Sequence, residues 1–506
     1  MRVLPRRFRR NVLTTYLSTI VSALQVLLVT PLLVRGLGPE RYGIWSLVVS
    51  IGLFAILLDL GLSSATIRYV AHHQELGQRA LVVATVAASF WMLAGLGCIV
   101  LVGGALLAPL FPKVFDVQGE ETSTSLLVVL AAAAIAVAVV GGAFRGCLAG
   151  FQRYSFLNLT YTCAVIAQAT SYAVVLWLGG GLVALGVVLV LVAIGEQSAS
   201  YFAARHYVPE LRLSLRNVSG AFAREIFRMS AWISSTHVAT AVRYRVDTIV
   251  VGLVVGVRAA GVYAVGQLLY TAVDRFIRPT LTGFFPFSAE LAGRQDSQGL
   301  RTAMLTGTRI SLAVAGILSL PTILLAAPLL DAWVGSEYEE ASRVVVYLVS
   351  AALLATVSRT GLLMLQGSGN VRAPAGIVWA EAVVNLVLSV LLGLWLGLAG
   401  VALATLVATT LVSTLIGVPY ICRTFSVPVR PFVTSILRTH VPAIAAAILV
   451  WWIVGPADAS LPVVVVAGAA IAGAYALTLA FTGLNGGERR RLWAMLRGGG
   501  RIASQS

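Results

Sequence analysis

The sequence predicts an all-α polytopic membrane protein of about fourteen transmembrane helices, built as two six-helix lobes in parallel repeat plus two C-terminal helices. Three observations carry that expectation. Of the 506 residues, 58% are hydrophobic and 11% charged, with a mean hydropathy of +0.91, whereas a soluble domain carries about 25% charge. Apolar runs of about 20 residues, the length that crosses a bilayer, recur along the whole chain. The charges between those runs are distributed unequally over alternate segments, as membrane topology requires. Little chain is left for a soluble catalytic domain.

Taken in order, the apolar stretches fall near residues 11–34, 42–65, 80–107, 124–149, 154–178 and 182–204 in the first half. A polar stretch follows, then runs near 230–255, 260–286, 303–330, 342–367, 374–396, 398–421, 437–455 and 461–482. The domain reading is an N-lobe over 1–204, a cytoplasmic amphipathic linker over 205–229, a C-lobe over 230–421, and helices thirteen and fourteen with a basic cytoplasmic tail over 422–506. In the linker, Val218, Phe222, Ile226 and Met229 share one helical face and Arg224 and Arg228 the other, the pattern of a helix lying in the membrane interface.

The net charge of +16 comes from 36 Lys and Arg against 20 Asp and Glu. With the N-terminus inside, 25 of the cations fall in inside segments and five outside, at Arg35, Arg41, Lys113, Arg258 and Arg343. The positive-inside rule then places both termini in the cytoplasm, so the charge reports topology and not nucleic-acid binding. The first apolar run, preceded by five arginines, is expected to stay as a helix and not to be cleaved as a signal peptide. Cys98, Cys147, Cys163 and Cys422 have no metal-type spacing and are expected as small core residues. Gly142, Gly146 and Gly150 form a stripe that lets helices approach closely.

An internal repeat is visible at an offset of about 218 residues. Leu176, Trp177, Leu178 and Gly179 recur as Leu394, Trp395, Leu396 and Gly397; Gly38 and Gly43 match Gly256 and Gly261; and Gly150 matches Gly367 at one residue less. Six helices lie within the offset, so the copies share one orientation and are related by an axis along the membrane normal, which places a substrate site between lobes near the midplane.

The N-terminal region carries Thr30, Pro31 and the run to Arg35, then Leu37, Gly38, Pro39, Glu40, Arg41, Tyr42, Gly43, Ile44 and Trp45, then Asp59 to Leu62, then Arg68 and Tyr69. This pattern resembles the polysaccharide biosynthesis export family, the Wzx-type O-antigen flippases, of the multidrug/oligosaccharidyl-lipid/polysaccharide exporter superfamily. The resemblance implies an inverted V of two lobes that moves a polyprenyl-pyrophosphate-linked oligosaccharide from the inner to the outer leaflet of a bacterial cytoplasmic (inner) membrane. Its partners would be the lipid-linked glycan, membrane lipids, and the polysaccharide polymerase and glycosyltransferases of the same pathway. A monomer without cofactor or metal is expected, and not an enzyme. The alternatives are a cation-coupled multidrug extruder or lipid II flippase of the same superfamily and, more remotely, a membrane glycan polymerase or ligase.

Ionisable groups inside a membrane helix are costly and therefore functional candidates. Six arginines remain after the loops are counted: Arg243, Arg245, Arg275, Arg278, Arg309 and Arg359. Arg309 and Arg359, near helix ends, are expected to snorkel. Residues four apart share a helix face, so Arg243 pairs with Asp247 and Asp274 with Arg278, as charge pairs or a gate. Arg245 and Arg275 have no acid at that spacing, and arginine's planar fork suits phosphate, so these two are the candidate pyrophosphate ligands. The alternative is pairing with an acid elsewhere, such as Asp59 or Glu381. Asp59, Glu196 and Glu381 are the candidate coupling or gating acids. Subtracting the repeat offset lands Arg243 on Gln25 and Arg275 on Leu57, so the first lobe has no matching cations and the cationic surface is expected to be one-sided. His237 is read as the one intramembrane histidine.

Overall fold

The computed structural model describes the backbone of residues 6–56, 62–214, 246–455 and 460–482. Among these residues the chain is helical, with short turns and no strand. The helices are α1 (Arg6–Ile56), α2 (Leu62–Glu75), α3 (Arg79–Leu107), α4 (Phe111–Val114), α5 (Glu121–Gly150), α6 (Tyr154–Trp177), α7 (Leu182–Tyr207) and α8 (246–254). They continue as α9 (Val257–Thr282), α10 (Phe284–Gly293), α11 (Ser297–Leu324), α12 (Ala326–Val334), α13 (Ala341–Gly367) and α14 (Arg372–Ala408). A π-helical stretch, Thr409–Gly417, joins α14 to α15 (Val418–Thr424), and α16 (Val429–Val454) and α17 (Leu461–Thr482) complete the described chain.

Ten helical segments among the described residues are long and apolar enough to cross a membrane. Two of them are double. In α1 the backbone breaks at Gly38 (φ 75°, ψ 170°) and in α14 at Gly397 (φ 63°, ψ −144°), values that glycine adopts without a side-chain clash. Each break divides one continuous helix into two segments. α9 is also long enough, at 26 residues, but Asp274, Arg275 and Arg278 lower its hydropathy.

The backbone repeats itself as the sequence does. Positive φ occurs at Gly38 and Gly256, at Gly77 and Gln295, and at Gly179 and Gly397, each pair 218 residues apart, and at Gln152 and Gly369, 217 apart. Packing repeats too. A Cβ placed on Gly150 would meet the Val70 side chain and the Ile67 carbonyl, and one placed on Gly367 would meet the Ser288 side chain and the Phe285 carbonyl, 218 residues further on in both cases. The duplication therefore extends from composition down to the atoms that set one helix spacing.

The glycine stripe of α5 acts through the same contact. Gly142, Gly146 and Gly150 lie against Ser63, Thr66 and Val70 of α2, with a Cβ on Gly146 falling 2.9 Å from Thr66 Cβ. Without a hydrophobic force between helices in lipid, close backbone approach is what holds such a pair. Gly150→Leu and Gly367→Leu are each expected to lower stability by about 1–3 kcal/mol through overpacking, seen as a lower melting temperature in detergent. Gly95→Leu, where a Cβ meets nothing within 4 Å, should leave it unchanged.

Contacts divide the chain into two units, Met1–Val265 with Ser389–Val401, and Gly266–Leu388 with Ala402–Ser506. The first unit thus includes α8, the start of α9 and the Gly397 bend of α14. Two cysteines depart from expectation: Cys147 and Cys422 are buried, but Cys98 and Cys163 lie on exposed faces.

Candidate functional site

In the second unit, α9 places Asp274, Arg275 and Arg278 within one arc of its surface, since residues one, three and four apart lie within about 100° of each other. Asp274 is 3% exposed. Its Oδ2 accepts from Arg278 Nε at 2.6 Å, the pairing that the four-residue spacing predicts. Its Oδ1 accepts from Arg359 Nη1 of α13 at 2.5 Å, a contact the sequence did not reveal. Arg359 was expected to reach for the membrane surface; instead its side chain is 14% exposed and turned onto the aspartate. One carboxylate orients two guanidiniums. Arg275, the next residue along α9, is half-buried and forms no ion pair with a described residue, so among the described residues three arginines and one acid are gathered here.

A second acid of this unit is arranged differently. Glu381 of α14 is 1% exposed and accepts hydrogen bonds from Thr409 Oγ1 at 2.8 Å and from Ser413 Oγ. The π-helical stretch supplies both hydroxyls, and such widened turns recur at functional sites. Glu381 makes no ion pair with Arg275. Arg309, the other arginine expected to snorkel, donates through Nη2 to Thr439 Oγ1 of α16 at 2.9 Å. Next to Thr439, His440 is 3% exposed and its Nδ1 lies 2.8 Å from the Tyr475 hydroxyl of α17. A buried histidine thus sits in α16, which the expectation of a single intramembrane histidine overlooked.

In the first unit Asp247, 2% exposed, accepts from the Tyr263 hydroxyl and from Ser389 Oγ, both at 3.2 Å. Its expected partner Arg243 lies outside the described residues, as do Arg245, Asp59 and His237. Glu196 of α7 lines a cavity among α1, α5, α6 and α7. Near it stands Arg145 of α5, donating through Nη1 to Gln197 Oε1 at 3.1 Å and through Nη2 to the Ala138 carbonyl at 3.0 Å. Arg145, counted from sequence with the inside segments, thus lies within a long apolar helix of the first unit. α5 and α13 correspond in the repeat, but Arg145 falls three residues from the position that matches Arg359.

Duplicated helical halves with ionisable groups held on apolar helices are features that many secondary transporters share. A family model described as polysaccharide biosynthesis protein matches residues 8–292, more than half of the chain, and the protein belongs to that family. An uncharacterized membrane protein, EpsK of Bacillus subtilis, is 21% identical over 460 residues, covering 88% of each chain. Among solved structures the fold matches an inward-facing multidrug resistance MATE family transporter of the MOP superfamily, at 17% identity and a TM-score of 0.71 over 81% of this chain and 98% of that one. It also matches the lipid II flippase MurJ in an inward closed conformation, at 12% identity and a TM-score of 0.71 over 92% and 97%.

Proposed function

We propose that the protein is a flippase that carries a polyprenyl-pyrophosphate-linked oligosaccharide from the inner to the outer leaflet of the bacterial cytoplasmic membrane. The observation that carries this reading is Asp274 of α9 held by Arg278 of the same helix and by Arg359 of α13, with Arg275 the next residue along α9. A pyrophosphate cannot enter hydrocarbon without replacement of its water, because an isolated ion costs tens of kcal/mol by Born estimates. Arginine forks replace that water with bidentate hydrogen bonds. The excess of cation over acid among the described residues suits an anionic headgroup and opposes the cationic substrates of a cation-coupled drug extruder. Arg275 remains a proposed pyrophosphate ligand, joined now by Arg278 and Arg359 as groups held ready by Asp274. Arg245 is retained in the proposal on its sequence position alone.

Glycosyltransferases that build the glycan and a polymerase that extends it are the partners this role requires. Deleting the gene should cause one lipid-linked saccharide to accumulate on the cytoplasmic leaflet, identified by mass spectrometry of extracted lipids. No accumulation, with surface polysaccharide unchanged, rejects the assignment. The orientation proposed from the 25 to 5 charge asymmetry places both termini inside. In a cysteine-free background, probes at Gly119 and Ser336 should react with an impermeant maleimide in intact cells and a probe at Ser504 should not. The opposite pattern inverts the map.

A further inference from the structure

We propose that the first unit contains a pocket for one neutral or N-acetylated pyranose ring, formed by Glu196, Gln168 and Tyr161. The cavity measures about 240 Å³ and lies wholly within that unit. At liquid density it has room for about eight waters, the scale of a single sugar ring. Its walls are small for a reason visible in the packing: Gly52 contributes no side chain, and a Cβ there would fall 2.7 Å from Ile135 Cδ1. Alanines 131, 134, 138, 164 and 193 continue the same floor.

The polar groups are fixed in place. Gln168 Oε1 accepts from Gln25 Nε2 of α1 at 3.1 Å while its Nε2 donates to the Tyr172 hydroxyl at 3.0 Å, which sets the orientation of the amide. The Tyr161 hydroxyl accepts from Ser22 Oγ at 3.3 Å. Glu196 lines the cavity, and its carboxylate receives no hydrogen bond from a described residue. Arg145, its charged neighbour, directs two of its nitrogens to Gln197 and the Ala138 carbonyl. A carboxylate on an apolar helix is costly; the Arg145 charge offsets part of that cost, and a ligand or water entering the cavity supplies hydrogen-bond donors.

Carboxylate, amide and phenol above an aliphatic floor are the groups that suit a pyranose. The carboxylate accepts from two adjacent hydroxyls, the amide exchanges hydrogen bonds with a hydroxyl or acetamido group, and the alanines and the tyrosine ring cover the C–H face. A uronic acid would set its own carboxylate against Glu196. By contrast, a larger cavity in the same unit, about 490 Å³, is lined by hydrocarbon side chains and glycine alone and has nothing to orient a polar ring.

The role of the pocket in transport rests on the flippase reading, but its existence does not, and two measurements keep them apart. In the reconstituted full-length protein, with Ala164→Cys as the single cysteine, glucose and N-acetylglucosamine at saturation should slow maleimide labelling at least fivefold. Glucuronate should leave labelling unchanged, and Glu196→Gln should remove the protection by the two neutral sugars. Equal labelling with and without all three sugars overturns the pocket, and protection by glucuronate alone overturns the charge assignment. Separately, Glu196→Gln and Gln168→Leu should each lower surface glycan export at least tenfold at matched expression. If deleting the gene leaves export and the lipid-linked saccharides unchanged while the free sugars still protect, the flippase reading fails and the pocket stands.

Discussion

Asp274→Ala is expected to be the most damaging single substitution in the membrane-spanning helices, lowering stability by about 3–5 kcal/mol and abolishing export. The aspartate is 3% exposed and joins Arg278, four residues along its own helix, to Arg359 on α13. Removing one side of a buried ion pair leaves the other charge uncompensated, and that is where a cost of about 3–5 kcal/mol arises. Here the cost falls mainly on Arg359, whose side chain is 14% exposed, because Arg278 at 53% exposed can turn to water. Arg359→Met combined with Asp274→Ala should recover most of the lost melting temperature, since replacing both partners of a buried pair by apolar groups is often close to neutral. The double variant should fold and still fail to export, because one of the three cluster arginines is gone. A double-mutant cycle read by thermal unfolding checks the coupling. If the double variant is as unstable as the sum of the singles, the two side chains act independently and the cluster is misassigned.

The pairing within this cluster also marks where sequence reasoning stops. Asp274 and Arg278 are four residues apart on one helix, so their contact follows from the helical period. Arg359 lies 85 residues away in the chain, and whether it meets Asp274 depends on the rotation and crossing of α9 and α13, which no periodicity encodes. The repeat was legible for the opposite reason. Positive-φ glycines and close-packed glycines are constraints a single residue type satisfies, so Gly38, Gly179, Gly256 and Gly397 record the duplication in the letters themselves. Charges carry no such record. Arg145 and Arg359 lie on corresponding helices three residues out of register, and Arg145, near the end of its apolar run, reads from sequence as an inside-segment charge. Glu381 shows a third limit: its partners are the hydroxyls of Thr409 and Ser413, residue types too common in an apolar chain to single out before the π-helical turn brings them together.

Arg275→Ala is expected to abolish glycan export while leaving folding and insertion intact, the reverse of the Asp274 outcome. Arg275 is half-buried next to the ion-paired pair, yet it forms no ion pair with a described residue, so its removal breaks no ion pair in that cluster. A hydrogen bond to a charged group contributes about 1.5–3 kcal/mol, so binding of polyprenyl pyrophosphate should weaken about 10- to 100-fold with an unchanged melting temperature. Arg275→Lys should restore part of the activity, because it keeps the charge but loses the planar fork that matches phosphate. Arg278→Ala separates ligand from scaffold more finely. Asp274 would keep Arg359, so stability should fall less than in Asp274→Ala, whereas affinity for the headgroup should fall as far as in Arg275→Ala. Normal export by Arg275→Ala at matched expression would remove it from the headgroup site, leaving Arg278 and Arg359 to be tested as a two-arginine clamp.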